Sequence, residues 1–129
     1  MSVLAEIAVR RSGLEGVGLP VEGVRLISLP PIVERVFGSH VAAMTLGRTI
    51  LVRPGLFDRV IAGDEPELLA HELIHVSQWA DTGVGPFLSR YLYEYCRLRS
   101  LGVGHDAAYR GIGFEYAAYV GAAAIVDEL

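Results

Sequence analysis

The chain has 129 residues, with 11 basic residues against 15 acidic ones and a net charge of −4. That balance, with no basic cluster, excludes the electrostatic footprint of a nucleic-acid-binding domain. Hydrophobic residues make up 52% of the chain, but the longest small-apolar stretch, Ala117 to Val126, is too short to span a bilayer. The length suits a single domain, residues 1–129, with a core that needs no disulfide. Every basic residue is arginine and neither lysine nor asparagine occurs, a bias of the kind a GC-rich genome produces. Met1 to Arg11 runs from apolar to basic, the reverse of a secretory signal. The expectation is therefore a cytoplasmic chain, with export by a non-classical route left open.

In chain order, residues 2–10 predict a short helix ending before Ser12-Gly13, and Gly13 to Gly23 reads as loop. Val24 to Ser28 alternates and predicts a strand. Pro30-Pro31 stops it, Pro31 opens a short helix over Ile32 to Phe37, and Gly38 ends that helix. His40 to Thr45 and Arg48 to Arg53 predict two strands joined at Leu46-Gly47, and Pro54-Gly55 closes the second. Leu56 to Ile61 suggests a helical turn. Glu65-Pro66-Glu67 opens a helix running to about Ala80, with proline in the first turn and acids matching the helix dipole. Asp81 to Gly85 breaks it. Pro86 starts another helix, with Phe87, Leu88, Tyr91, Leu92, Tyr95 and Leu98 on one broad face. Cys96, among Leu92, Tyr95 and Leu98, reads as a small core residue. After Gly102 and Gly104, a last helical region runs from about Asp106 to Val126, interrupted by Gly111 and Gly113. Strands early and helices late predict an α+β domain: a small N-terminal sheet on the central helix, with C-terminal helices behind.

The chemistry concentrates in His71-Glu72-Leu73-Ile74-His75. Two histidines four residues apart share one helix face and can hold one zinc ion, which leaves Glu72 to act on a zinc-bound water. A catalytic zinc needs a third protein ligand. His40 and His105 qualify by type. Glu115 is better placed, as a lone carboxylate in an apolar helix whose burial demands a cationic partner. The competing partner for it is an arginine, Arg110 or Arg90. The resulting expectation is Zn²⁺ on His71, His75 and Glu115, with Glu72 as general base for peptide hydrolysis. Tyr109 and Arg110 are the first choices to stabilise the oxyanion, with His105 and Tyr119 as alternatives. Gln78, three residues past His75, reads as a hydrogen-bond partner of a ligand or as surface, and Trp79 as core. An extended peptide substrate is expected along the Arg48–Arg53 strand, read as an exposed edge.

Two stretches carry a family resemblance. Ala42-Ala43-Met44-Thr45-Leu46-Gly47-Arg48-Thr49-Ile50-Leu51-Val52 and Leu68-Leu69-Ala70-His71-Glu72-Leu73-Ile74-His75-Val76-Ser77-Gln78 resemble small bacterial metallopeptidase-like domains. These are the core domains carried by cargo of extracellular contractile injection systems. The resemblance covers roughly residues 23–80. More broadly the chain is similar to the zincin metallopeptidases, and within them to the gluzincins, whose third ligand is a glutamate on a later helix. By position this implies zinc ligation by His71, His75 and Glu115 and a base role for Glu72. Where many gluzincins carry asparagine before that glutamate and an acid four residues after it, this chain has Phe114 and Tyr119. The leading expectation is a zinc-dependent peptide hydrolase acting on a peptide or protein. The alternatives are a zincin-fold interaction or targeting module without strong activity, and a domain in which zinc is purely structural.

Overall fold

The computed structural model describes residues 3–37 and 41–129. Gly38 and His40, the expected helix stop and one candidate ligand, lie outside the described residues. Among those described, the elements run α1 (Val3–Arg11), β1 (Arg25–Ser28), α2 (Pro31–Phe37), β2 (Ala43–Leu46), β3 (Thr49–Val52), α3 (Pro54–Ala62), α4 (Pro66–Thr82), α5 (Val84–Ser100), α6 (His105–Gly111) and α7 (Gly113–Asp127). This is an α+β architecture, as expected.

The sheet has the order β1-β3-β2. β1 lies parallel to β3, with Leu26 opposite Ile50, and β2 lies antiparallel to it, with Thr45 opposite Ile50. β3 is therefore central, and the expectation of an exposed substrate edge along Arg48–Arg53 is corrected. Ile50, Leu51 and Val52 are all buried, a continuous apolar run of the kind a strand covered on both faces requires. The edge beside α4 is β2. Pro54-Gly55 does more than close β3: Pro54 occupies the first turn of α3, where its missing N–H costs nothing. Gly63 ends α3 at φ 86°, and a Cβ there would collide with the Arg11 backbone carbonyl, so only glycine serves.

The main core joins α1, β1, β3, α3 and α4 around Leu26, Ile50, Val60, Leu69, Leu73 and Val76. α4 begins at Pro66 and ends at Gly83, from which α5 turns away. α7 packs on α4 more extensively than any other element. The small residues at that crossing are Ala118 and Ala122, both fully buried, and Gly121. A Cβ on Gly121 would sit 2.9 Å from Ile74 Cδ1. Their neighbour Ala117 faces outward.

A second cluster links α4, α5 and α7 by aromatic stacking. Phe87 lies between Trp79 (ring centroids 4.2 Å apart) and Phe114 (4.4 Å), geometry favourable for offset rings. The Arg90 guanidinium covers the other side, 4.6 Å from the Phe114 ring centre. The broad apolar face expected of α5 is buried only in part. Phe87 is covered, whereas Leu88 and Leu92 are exposed. Cys96 is exposed too, not a core residue. No helix among the described residues is long and apolar enough to cross a membrane.

Candidate metal centre

Helix periodicity puts His71 and His75 on one face of α4, and the α4–α7 crossing brings Glu115 against them. His71 Nε2 and His75 Nε2 are 3.1 Å apart. Glu115 Oε1 lies 3.1 Å from the first and 3.0 Å from the second. All three residues are buried, and together they form a group able to hold a metal ion. Donor atoms of a tetrahedral ion with bonds of 2.0–2.1 Å lie about 3.3 Å apart, close to these separations.

The surrounding hydrogen bonds fix which nitrogen faces inward. Gln78 Nε2 donates to the Phe114 carbonyl at 2.9 Å, which turns Gln78 Oε1 toward His75. His75 Nδ1 donates to that oxygen at 2.7 Å. A neutral His75 therefore carries its proton on Nδ1 and presents a bare Nε2. That lone pair faces a carboxylate oxygen 3.0 Å away, so a cation or a proton has to lie between them. The donor set of two imidazoles and one carboxylate suits a divalent metal of borderline softness.

Glu115 is held on its far side as well: Tyr91 Oη donates to Oε2 at 2.9 Å. Burial would raise the Glu115 carboxyl, but the two facing imidazoles of His71 and His75, which favour the carboxylate when they carry a proton, and the bond from Tyr91 outweigh it and keep the pKa well below the carboxylate range. The arginine alternatives do not materialise. Arg90 pairs with Glu94 at 3.5 Å, and the Arg110 guanidinium lies 5.7 Å from the Tyr119 ring centre.

Glu72 stands outside the ligand group. It is buried, and Thr45 Oγ1 donates to its Oε2 at 2.8 Å. Burial raises its pKa, and the two histidines and Thr45 only partly offset this. Two neighbouring carboxylates are thus pushed in opposite directions, Glu72 toward the neutral form and Glu115 toward the charged one. The Trp79 indole N–H, bonded to the Thr45 carbonyl at 3.1 Å, anchors the strand that carries Thr45.

The centre lies between two cavities. One, about 910 Å³, is bordered by His71, Glu67, Asp106, Arg110 and Tyr119. The other, about 420 Å³, lies on the His75 side among apolar and aromatic groups. Val41, Ala43, Glu72 and Tyr109 border both. Tyr109 is half-buried beside Tyr91, and burial and the Glu115 charge raise its hydroxyl pKa. Arg110 and His105 sit on the larger cavity's rim, away from the ligand atoms; His105 Nδ1 is taken by Tyr95 Oη at 2.7 Å. Tyr119 packs edge-on against the His71 ring, with centroids 4.4 Å apart.

Thr45 and Tyr91 were missed in the sequence. Each is an ordinary residue for its element, and its partner lies 27 or 24 positions away.

No curated protein and no solved structure matches this chain. The eCIS core domain family matches residues 9–83, from α1 to the glycine that ends α4. His71, Glu72 and His75 fall inside that span, and Glu115, Tyr91 and Tyr109 fall outside it. With more than half of its length matched, including the whole sheet and the helix of the paired histidines, the chain belongs to the family of eCIS core domains, the core domains of extracellular contractile injection systems.

Proposed function

We propose that this eCIS core domain is a zinc-dependent peptide hydrolase of the zincin type. The observation that carries the reading is Glu72. A buried carboxylate oriented by Thr45, bordering both cavities yet outside the His71–His75–Glu115 group, is what a general base requires and a purely structural metal site does not. His71, His75 and Glu115 would hold the ion, and three protein ligands leave a position open for water or substrate. When bound, zinc supplies Lewis acidity that polarises a carbonyl and makes water acidic enough to ionise near pH 7. Glu72 takes the proton of the attacking water and returns it to the leaving amine. Tyr109, whose raised pKa keeps its hydroxyl protonated, donates to the developing oxyanion. Arg110 orients substrate from the larger cavity. The substrate backbone adds to the outer edge of β2. There Ala43 faces away from β3, because the neighbouring ladder bond runs from Arg53 N–H to the Ala42 carbonyl.

The family match favours a second reading, a cargo-associated module that binds peptide in the same cleft without cutting it. Replacement of Glu72 separates the two. Glu72→Ala retains metal and fold, because Glu72 is not a ligand, and lowers hydrolysis of a mixed peptide library by on the order of 10²–10⁴-fold. A metal-loaded wild type that cleaves nothing in the library would overturn the hydrolase and leave the binding module.

A further inference from the structure

α5 lies beyond the family-matched residues 9–83, and one of its turns grips the start of α7. Arg90 covers the Phe114 ring, 4.6 Å from its centre. Glu94 Oε2 accepts the Gly113 N–H at 2.9 Å, one of the N–H groups that a helix start leaves without a partner in the helix. Between these two, Tyr91 Oη donates to Glu115 Oε2 at 2.9 Å. Arg90 and Glu94 hold residues that face no metal. Only Tyr91 holds one of the three that could.

Its bond gives the two oxygens of that carboxylate different tasks. Oε1 faces His71 Nε2 and His75 Nε2, and Oε2 faces the phenol. A carboxylate left to itself can bind an ion through one oxygen or through both. The second oxygen would then compete for the position that a catalytic site leaves to water or substrate. The phenol is well placed to prevent this. Its ring stacks on Phe87 with centroids 5.8 Å apart and meets Tyr109 edge-on at 6.4 Å. Burial raises its pKa, so the hydroxyl stays a donor.

We propose that Tyr91 is a positioning residue that holds Glu115 to a single metal-facing oxygen and so keeps one position on the ion open. The proposal rests on the zinc-site reading above and deepens it, by naming the group that guards the open position. A phenol that merely satisfied a buried acceptor would steady the ligand and leave that position unaffected. The two roles therefore separate in what an added small anion finds at the metal.

The intact protein is loaded with Co²⁺, whose visible absorption reports its donors and geometry, and is titrated with azide as the probe of the open position. Wild type should bind azide with a change in that absorption. Tyr91→Phe removes one oxygen and keeps the ring in its stack. It should bind azide about tenfold more weakly or worse, the scale of effect that partners of a ligand have. Its Co²⁺ affinity, by competition with a chelator, should change by less than about threefold, because a second carboxylate oxygen on the ion offsets the lost hydrogen bond. Tyr91→Met, which also lacks the donor but fills the stack differently, should behave in the same way. Circular dichroism of the metal-free variants checks the fold, and either variant that folds decides; if neither folds, Tyr91 holds the fold and the proposal is overturned. Azide affinity equal to wild type overturns it, as does a wild type that takes up Co²⁺ but no azide. So does a loss of Co²⁺ affinity as large as the loss of azide affinity. A wild type that takes up no Co²⁺ overturns the metal centre itself. One that shows the Tyr91 effect but cleaves no peptide keeps the proposal and loses the hydrolase.

Discussion

At the residue scale Gln78 supports the metal-facing groups from behind. Its amide is clamped by the Phe114 carbonyl and in turn fixes the His75 tautomer. Partners of this kind orient a ligand and raise its basicity, and their loss typically weakens metal binding 10–100-fold. Gln78→Ala should therefore weaken zinc affinity by about that factor, measured by competition with a chelator, while the helix content of the protein stays unchanged. Gln78→Glu, which keeps an acceptor for His75 Nδ1 but loses the donor to Phe114, should fall between the two. An unaltered affinity in Gln78→Ala would show that the tautomer is set by something else.

At the scale of elements, the spacing between α4 and α7 positions Glu115. Gly121 helps to keep that spacing close, since a Cβ there would sit 2.9 Å from Ile74 Cδ1 and the end of the isoleucine would have to move. Gly121→Val should push the helices apart and cost on the order of 1–3 kcal/mol, as overpacked cores do. It should also weaken metal binding, because Glu115 travels with α7. Adding Ile74→Ala removes the obstructing carbons, so the double variant should recover part of both losses. Denaturant melts and metal titrations of the two single variants and the double variant measure that coupling. Strict additivity would mean the two side chains do not compete for the same space.

At the scale of the whole molecule, a metal ion would join the two halves of the chain. Two of its ligands lie in the family-matched segment and the third on α7, beyond it. An ion held only by the folded state stabilises that state, by about 2.7 kcal/mol at a free concentration one hundred times its Kd. For a domain of this size, stripping the metal should lower Tm by on the order of 10 °C. Calorimetry before and after chelation, with readdition of zinc, checks this. His75→Ala should already melt at the stripped value and should not respond to zinc.

Local patterns determined much of this protein. The 3.6-residue repeat put His71 and His75 on one face, prolines and glycines marked the start of α2, both ends of α4 and the break between α6 and α7, and β-rich runs marked the three strands. A lone buried acid implied a cation, which singled out Glu115. Each of these rests on forces acting within a few residues or on the cost of burying one charge. Tertiary structure decided what depends on neighbours distant in sequence. Strand order was one such matter: β3 is central because β1 returns parallel to it from more than twenty residues away, and no property of β3 alone distinguishes that from an edge. The outward turn of Leu88, Leu92 and Cys96 was another, since an apolar helix face reads the same whether it meets a core or an open cavity. The hydrogen bonds of Thr45 to Glu72 and Tyr91 to Glu115 were the last, because contacts made by one hydroxyl leave no trace in periodicity, composition or spacing.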